Sequence, residues 1–341
     1  MESEVSKPKY TPKDFASDRD VRWCPGCGDF SILAQIQRTF AQLIDVPKEK
    51  IVFISGIGCS SRFPYYMNTY GFHTIHGRAA AIASGVKSAN PDLSVWIPTG
   101  DGDLLSIGGN HFIHILRRNI DVNIILFNNR IYALTKGQVS PTSPHGMVTK
   151  STPLGNIEYP VNPISLALGM EGTFIARSID RDTKHLQEMI LRCYKHKGTS
   201  FLEVFQNCVI FNDGAYELYS NKDTRDDHVV YIEHGKPLIF GKNMDKGIKL
   251  DGWKPIVVDL NDPNMSVNDL LIYDEKSREL AFILSSFSND PNLPMPFGVF
   301  LDVERETYDE NMKNQIFDLQ FKYGKGNVDE LLKGSDFWEI K

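Results

Sequence analysis

The chain has 341 residues, of which 41% are hydrophobic and 23% charged, a composition typical of a globular protein with a substantial core. Its formal net charge of −6 argues against nucleic-acid binding, which needs clustered lysines and arginines on one face. No stretch approaches the roughly 18 apolar residues of a membrane helix, and residues 1–13 lack a signal-peptide core. We therefore expect a cytoplasmic protein without membrane contact.

Helical and strand patterns alternate through residues 21–214. In the first helix, Phe30, Leu33, Ile36, Phe40 and Leu43 recur at a spacing close to 3.6. Strands that alternate with helices need crossover connections, which predicts an α/β fold with a mostly parallel sheet and helices on both faces. The predicted strands are 51–55, 93–98, 122–127, 173–179 and 200–205, and the helices after the first are 79–87, 105–117, 163–168 and 182–196.

The two ends of the chain lack this alternation. Residues 1–20 are polar and contain two prolines, which predicts a mobile or wrapping N-terminal arm. Residues 215–341 contain charged, Pro- and Asn-containing stretches, which predict an irregular C-terminal extension with a surface helix over 305–321. We expect this extension to wrap around a partner or to shield the metal site.

Two polar motifs each follow a predicted strand. Gly100-Asp101-Gly102-Asp103 follows one, and Asn129, in Phe127-Asn128-Asn129-Arg130-Ile131, lies 28 positions after Asp101. Magnesium prefers oxygen ligands, some of them from a bound phosphate, and glycines let the backbone approach that phosphate closely. The pair of motifs indicates a metal-bridged diphosphate, although Gly-Asp-Gly alone is also typical of a surface turn and Asn-Asn alone of a strand end. By itself, Asp103 has the pattern of a turn or capping residue.

Five cysteines are too few for a disulfide scaffold, so their positions point to metal or redox chemistry. Cys24-Pro25-Gly26-Cys27 is compatible with zinc, a redox dithiol or an iron–sulfur cluster. Cys59 and Cys208 each follow a predicted strand, whereas Cys193 lies in an apolar helical stripe and is predicted to be a core residue. Four loop cysteines match the number that a cubane cluster requires, and zinc stays an alternative.

Four further segments accompany these motifs: Trp23-Cys24-Pro25-Gly26-Cys27-Gly28-Asp29, Gly56-Ile57-Gly58-Cys59, His76-Gly77-Arg78-Ala79, and Thr135-Lys136-Gly137-Gln138 with Pro141-Thr142. Together with the Gly-Asp-Gly and Asn-Asn motif, which is similar to that of thiamine-diphosphate enzymes, they resemble the beta subunit of the 2-oxoacid:ferredoxin oxidoreductases from about residue 22 to 213. Lys136, where many members have Gly, and the fragments His234-Gly235-Lys236-Pro237 and Phe240-Gly241-Lys242 are similar to the 2-oxoglutarate branch.

The resemblance implies the diphosphate-binding domain of the thiamine-diphosphate fold, with thiamine diphosphate, Mg²⁺ and one [4Fe-4S] cluster as cofactors. It implies magnesium ligands at Asp101, Asn129 and the carbonyl of Ile131. The implied cluster ligands are Cys24, Cys27, Cys59 and Cys208. The residues implied to border thiamine diphosphate are Gly58, Cys59, His76, Gly100, Asp101, Gly102, Asp103, Asn129, Ile131, Leu134 and Thr135.

The implied reaction is the oxidative decarboxylation of a 2-oxoacid with coenzyme A, which gives an acyl-CoA, CO₂ and reduced ferredoxin. The same active site can also catalyse the reverse reaction, the reductive carboxylation. For 2-oxoglutarate the product is succinyl-CoA. Residues 215–341 lack the pattern of a second thiamine domain, so the resemblance implies that a pyrimidine-binding domain with its activating Glu comes from an alpha subunit. The expected assembly is an alpha–beta heterodimer or its dimer.

Three residues are candidates for direct roles in catalysis. Arg62 suits a substrate carboxylate, because a guanidinium group binds carboxylates bidentately, although a solvated loop charge or a partner contact would have the same pattern. His76 and Arg78 would either border the thiazolium or hold their loop in place.

Three other functions remain open from the sequence. A pyruvate-specific member of the family would share the same motifs. A non-oxidative thiamine decarboxylase or synthase subunit would keep Asp101 and Asn129 but would have no use for four converging cysteines. A zinc-stabilised structural subunit would use the cysteines for folding and would not depend on thiamine.

Overall fold

The structure is a computed structural model that describes residues 10–43 and 46–340. Within these residues the strands are β1 (Ile51–Ser55), β2 (Tyr70–His73), β3 (Ser94–Gly100), β4 (Asn123–Asn128), β5 (Phe174–Ile179), β6 (Ser200–Phe205), β7 (Val229–Ile232), β8 (Ile239–Phe240), β9 (Lys246–Asp251), β10 (Lys254–Asp259) and β11 (Met295–Asp302). The helices are α1 (Asp29–Leu43), α2 (Phe63–Tyr66), α3 (Ala79–Ala89), α4 (Gly109–Arg118), α5 (Pro163–Gly169), α6 (Thr183–Lys195), α7 (Glu217–Ser220), α8 (Arg225–His228), α9 (Arg278–Ser285), α10 (Tyr308–Tyr323) and α11 (Val328–Lys333).

The main sheet has eight strands in the order β2-β1-β3-β4-β6-β5-β11-β7. The strands from β2 to β5 in this order run parallel to their neighbours. β11 runs antiparallel to β5 and parallel to β7. This mostly parallel sheet confirms the predicted fold class.

Two hydrophobic cores cover the two faces of the sheet. Along β1, Val52 and Ile54 pack into the core that includes residues of α3, α4, α5 and α9. Ile51 and Phe53, which point the other way, pack into the core of α1 and α6. Helices on both faces are the expected arrangement for strands joined by crossovers.

The sheet extends past the predicted boundary at residue 214. β7 and β11 come from the segment predicted as an irregular extension, and β8, β9 and β10 form a separate antiparallel sheet. β11 was missed because Pro296 and Gly298 interrupt its strand pattern, yet all but one of its residues are buried. The predicted surface helix is confirmed by α10, in which only Asp309 is buried.

The N-terminal arm is partly described. Residues 1–9 lie outside the described part of the chain. From residue 10 onward the arm packs on its own domain, because the fully buried ring of Phe15 contacts the rings of Tyr10 and Phe40. In the described ranges, no helix is both long enough and apolar enough to cross a membrane.

Candidate active site

A cavity of about 460 Å³ opens where β1, β3 and β4 end, the position at which parallel sheets bind ligands. Its size is in the range of small-molecule sites. All the residues expected to border thiamine diphosphate line it, although they come from distant parts of the chain: Gly58, Cys59, His76, Gly100, Asp101, Gly102, Asp103, Asn129, Ile131, Leu134 and Thr135.

Asp101 is buried at the wall of this cavity, with 2% of its surface exposed. Its Oδ2 accepts hydrogen bonds from Ser140 Oγ and Thr142 Oγ1, both at 2.5 Å. Burial raises the pKa of Asp101, and these hydroxyl donors only partly offset that effect. A cation beside the carboxylate would favour its charged form. The site thus suits a bound divalent ion.

Asn129 and Ile131 follow β4 and complete the predicted magnesium set. The side-chain Oδ1 of Asn129 accepts a hydrogen bond from the backbone N–H of Ile131 at 3.1 Å. The backbone carbonyl of Asn129 accepts a hydrogen bond from Asn212 Nδ2 at 2.9 Å. Both residues line the same cavity as Asp101. Carboxylate, amide and carbonyl oxygens around one cavity fit a magnesium ion whose remaining ligands come from a diphosphate.

Two glycines in the cavity wall have conformations or contacts that exclude a side chain. A Cβ atom on Gly102 would lie 2.1 Å from the ring of Tyr132, whose hydroxyl donates to the Gly102 carbonyl at 3.0 Å. Gly58 has φ of +146°, which L-residues rarely adopt. The backbone on these two sides of the cavity is therefore left without side chains.

Asp103 holds the loops that carry His76 and Ile57. Its Oδ1 accepts His76 Nδ1 at 2.6 Å, Gly77 N at 2.8 Å and Ile57 N at 3.1 Å. Its Oδ2 accepts Thr99 Oγ1 at 3.1 Å. Asp103 is therefore more than a turn residue. Because Nδ1 of His76 donates to this carboxylate, Nε2 is the ring nitrogen left to the cavity.

The four loop cysteines line a second cavity of about 200 Å³, together with Arg62 and Lys136. They come from the segment before α1, from the end of β1 and from the end of β6. The fifth, Cys193, is buried in the hydrophobic core, as predicted. Nowhere in the described ranges do three or more His, Cys, Asp or Glu side chains converge on the position of a single metal ion. A cubane cluster does not require this, because each of its four irons takes one thiolate.

Two thiols of this cavity, those of Cys27 and Cys59, are held in their protonated form. Burial raises the pKa of Cys27 well above its usual value, and the neighbouring Asp29 adds to the effect. Burial and Asp29 also raise the pKa of Cys59 to about 12, against an opposing contribution from Arg62. Metal binding to these cysteines must therefore release protons.

Asp29 lines both cavities and was not predicted as a site residue. It is 1% exposed, and neither of its oxygens accepts a hydrogen bond from a nitrogen or oxygen of the described residues. Burial raises its pKa to about 7, with a further contribution from Asp180 and an opposing one from the Cys27 thiol. Its position directly after Cys-x-x-Cys-Gly was a signal, but in sequence it has the pattern of a helix-start residue.

The structure separates the three candidate catalytic residues. His76 lines the first cavity, and Arg62 lines the cysteine cavity. Arg78 borders neither cavity as the described residues form them; its Nη1 donates to the Ile107 carbonyl at 3.2 Å. Arg78 thus contacts the helical turn Asp103–Ile107, which precedes α4.

Comparisons with known proteins agree with this geometry. The family described as "Thiamine pyrophosphate enzyme, C-terminal TPP binding domain" matches residues 56–204. The 2-oxoglutarate oxidoreductase subunit KorB of Mycobacterium tuberculosis is 48% identical over 333 residues, which cover 96% of this chain and 88% of that protein. Subunit beta of 2-oxoacid:ferredoxin oxidoreductase 1 of Aeropyrum pernix is 50% identical over 56% of this chain and 60% of its own length.

A solved structure is also similar to this chain over nearly its whole length. It is the 2-oxoglutarate:ferredoxin oxidoreductase from Magnetococcus marinus, with 2-oxoglutarate, coenzyme A and succinyl-CoA bound. The match has a TM-score of 0.77 and 31% identity, and covers 97% of this chain and 98% of that one.

Proposed function

Because the chain belongs to the beta subunits of the 2-oxoacid:ferredoxin oxidoreductases, we propose that it decarboxylates 2-oxoglutarate oxidatively with coenzyme A, together with an alpha subunit. The products are succinyl-CoA, CO₂ and reduced ferredoxin. The observation that carries this proposal is the common wall of the two cavities. Asp29, Cys59, Asn129, Ala133 and Leu134 border both, so a cofactor in one lies next to a cluster in the other.

The chain carries a thiamine-diphosphate-binding domain. When bound, thiamine diphosphate supplies the electron sink for decarboxylation, and a [4Fe-4S] cluster supplies the one-electron acceptor. The magnesium ligands are Asp101, Asn129 and the carbonyl of Ile131. His76, fixed through Nδ1 by Asp103, moves protons through Nε2 in the cofactor cavity.

Cys24, Cys27, Cys59 and Cys208 hold the cluster. Gln206 Nε2 lies 3.4 Å from the sulfur of Cys27 and supplies an N–H donor to it. Such donors are among the features that set the reduction potential of a cluster. Arg62 lines this cavity, and its role as the ligand of a substrate carboxylate stays a prediction.

Membership of the beta-subunit family implies an alpha-subunit partner. We assign to that partner the pyrimidine-binding domain and its activating Glu. An alpha–beta heterodimer or its dimer, ferredoxin as the acceptor and a cytoplasmic location belong to the same proposal. Contact of residues 215–341 with the partner also stays a prediction.

The first test is metal analysis of the chain purified with its alpha subunit under strict anaerobiosis. We expect about four irons and four acid-labile sulfides per chain. About one zinc per chain without labile sulfide would overturn the electron-transfer function and favour a structural zinc site.

The second test is substrate-dependent reduction of ferredoxin by the same complex. We expect the rate to depend on coenzyme A and to be higher with 2-oxoglutarate than with pyruvate. A preference for pyruvate would favour the pyruvate-specific alternative. Release of CO₂ without reduction of the acceptor would favour a non-oxidative decarboxylase.

A further inference from the structure

Two opposite charges lie inside the main sheet. Arg177 of β5 is the register partner of Glu203 of β6, and both side chains are almost fully buried. Arg177 Nε donates to Glu203 Oε2 at 2.7 Å. Removing two charges from water is unfavourable, so a buried pair is weak evidence for stability and calls for another role.

The pair is connected to the proposed magnesium ligand Asp101. The other oxygen of Glu203, Oε1, accepts Asn128 Nδ2 at 2.7 Å. Since a carboxylate can only accept, this contact turns Asn128 Oδ1 toward Thr142 Oγ1, at 2.9 Å. The same Thr142 hydroxyl lies 2.5 Å from Asp101 Oδ2. Because the Thr142 hydroxyl has a single proton, it donates to only one of these two oxygens at a time. The carboxylate of Glu203 therefore fixes the orientation of the Asn128 amide, whose Oδ1 also accepts the backbone N–H of Arg130 at 3.3 Å.

Arg130 connects the same buried region to the other two proposed ligands. It lies between Asn129 and Ile131 and has φ of +57°, a left-handed conformation that is unfavourable for residues other than glycine, asparagine and aspartate. Its guanidinium carbon is 4.5 Å from the centroid of the Tyr216 ring. A strained residue keeps such a conformation only where its surroundings hold it.

The Tyr216 ring joins these contacts into one cluster. It stacks on the ring of Phe205, with centroids 4.1 Å apart and an angle of 13° between the planes. The Arg177 guanidinium lies 5.1 Å from the centroid of Phe205 and 5.2 Å from that of Phe300 in β11. Both guanidinium groups therefore contact the same stacked pair of rings.

We propose that Arg130, Tyr216 and the Arg177–Glu203 pair are positioning residues that hold the segment Asn129–Ile131 in its metal-binding geometry. The proposal rests on the proposed function, because it requires a magnesium–diphosphate group in the first cavity. None of these side chains needs to touch the metal. They act through the side chain of Asn128 and the backbone of Arg130.

The test measures magnesium binding without turnover. The complex with the alpha subunit is stripped of its cofactor with a chelator, and binding of thiamine diphosphate is followed by calorimetry as Mg²⁺ is added. We expect Arg130→Met to raise the half-saturating Mg²⁺ concentration about five- to tenfold, which corresponds to the loss of one partly buried cation–π contact. Arg130→Lys, which keeps a cation over the ring, should recover part of this loss.

A double-mutant cycle separates positioning from general damage. If Arg130 and Tyr216 act through one contact, Tyr216→Leu combined with Arg130→Met should raise half-saturation little more than either change alone. Arg118→Met is the matched control, because Arg118 lies 5.9 Å from the ring centroid of Tyr308, away from the cofactor cavity. It should leave half-saturation unchanged.

Two results would overturn the proposal, and they have different meanings. An Arg130→Met complex that is folded by circular dichroism and has the half-saturation of the unaltered complex would remove the positioning role alone. An unaltered complex that binds no thiamine diphosphate at any Mg²⁺ concentration would remove the proposed function with it.

Discussion

The indole nitrogen of Trp23 donates a hydrogen bond to the carbonyl oxygen of Cys59 at 2.7 Å. This contact joins two of the three segments that supply the cysteines, because Trp23 directly precedes Cys24. The segment that carries the other cysteine is joined by Gly28 N, which donates to the Asn207 carbonyl at 3.1 Å. The cysteine cavity is therefore held by hydrogen bonds outside the thiols themselves.

Trp23→Phe keeps an aromatic ring at this position but removes the indole donor. We expect the free energy of unfolding to fall by about 1 kcal/mol, because the Cys59 carbonyl loses its hydrogen-bond donor. For the same reason a chelator should remove the cluster faster. The decay of visible absorbance under anaerobic chelation measures this. Trp96→Phe is the matched control, because Trp96 donates to Ser94 Oγ at 2.9 Å instead. Equal decay in both variants would refute the prediction.

The cysteines differ in their expected effect on iron content. Cys208→Ala removes a thiol of the second cavity, so iron and labile sulfide per chain should fall sharply. Cys193→Ala should keep both and lose only about 1 kcal/mol of stability, because Cys193 is a core residue. Iron loss in the Cys193 variant, or full iron in the Cys208 variant, would contradict the assignment.

His76 should affect the rate of the reaction itself. His76→Gln removes the ring held by Asp103, and we expect kcat for viologen reduction to fall by about 10²-fold if His76 transfers protons. His234→Gln is the control, because His234 also faces an aspartate, Asp274, at 3.3 Å but is half exposed. An unchanged kcat in the His76 variant would leave that residue with a structural role.

Magnesium binding should weaken as the pH falls. Burial raises the pKa of Asp101, so protons compete with the metal at a higher pH than for an ordinary aspartate. Half-saturating Mg²⁺ should therefore rise as the pH is lowered through that raised pKa and reach a plateau above it. The diphosphate also titrates, so the change is measured against Asp101→Asn. Identical pH profiles in the two proteins would exclude this role for Asp101.

Acid stability should depend on Asp302. Burial alone would raise its pKa, but hydrogen bonds from His196 and Arg192 outweigh that effect and lower it to about 2, from an ordinary 3.8. A folded-state pKa below the unfolded value stabilises the protein above about pH 4, and the contribution is lost as the pH falls toward 2. The Asp302→Asn variant should therefore have a lower free energy of unfolding at pH 7 than the unaltered protein. That free energy should also fall less in the variant when the pH is lowered. Denaturant unfolding of the two proteins at pH 7, 4 and 3 measures these free energies. An equal fall with pH in the two proteins would contradict the prediction.

Much of the site could be predicted because its residues follow strands. Asp101 and Asn129 are distant in sequence, but each directly follows a strand, and the carboxyl ends of parallel strands converge. The same reasoning brought Cys59 and Cys208 together. The hydroxyls that contact Asp101 could not be predicted, since Ser140 and Thr142 lie in a loop without any repeating pattern.

Other features depend on tertiary contacts that cannot be predicted from the local sequence. Asp29 reads as a helix-start residue, and its buried carboxylate is evident only from the packing around it. The pairing of Arg177 with Glu203 could have been predicted, because each charge lies within an apolar strand. A charge in such a strand requires a partner on a neighbouring strand. β11 was missed because Pro296 and Gly298 are rare in central strands.

The place of β11 between β5 and β7 also governs how the protein is made. A nascent chain that ends near residue 214 has β5 as an open sheet edge, which is prone to pairing with other chains. It also lacks Tyr216 and Phe300, which contact Arg130 and Arg177. Strand β11 must leave the ribosome before the sheet can close. The closed sheet, and with it the contact of Arg177 with Phe300, can thus form only after β11 has been synthesised.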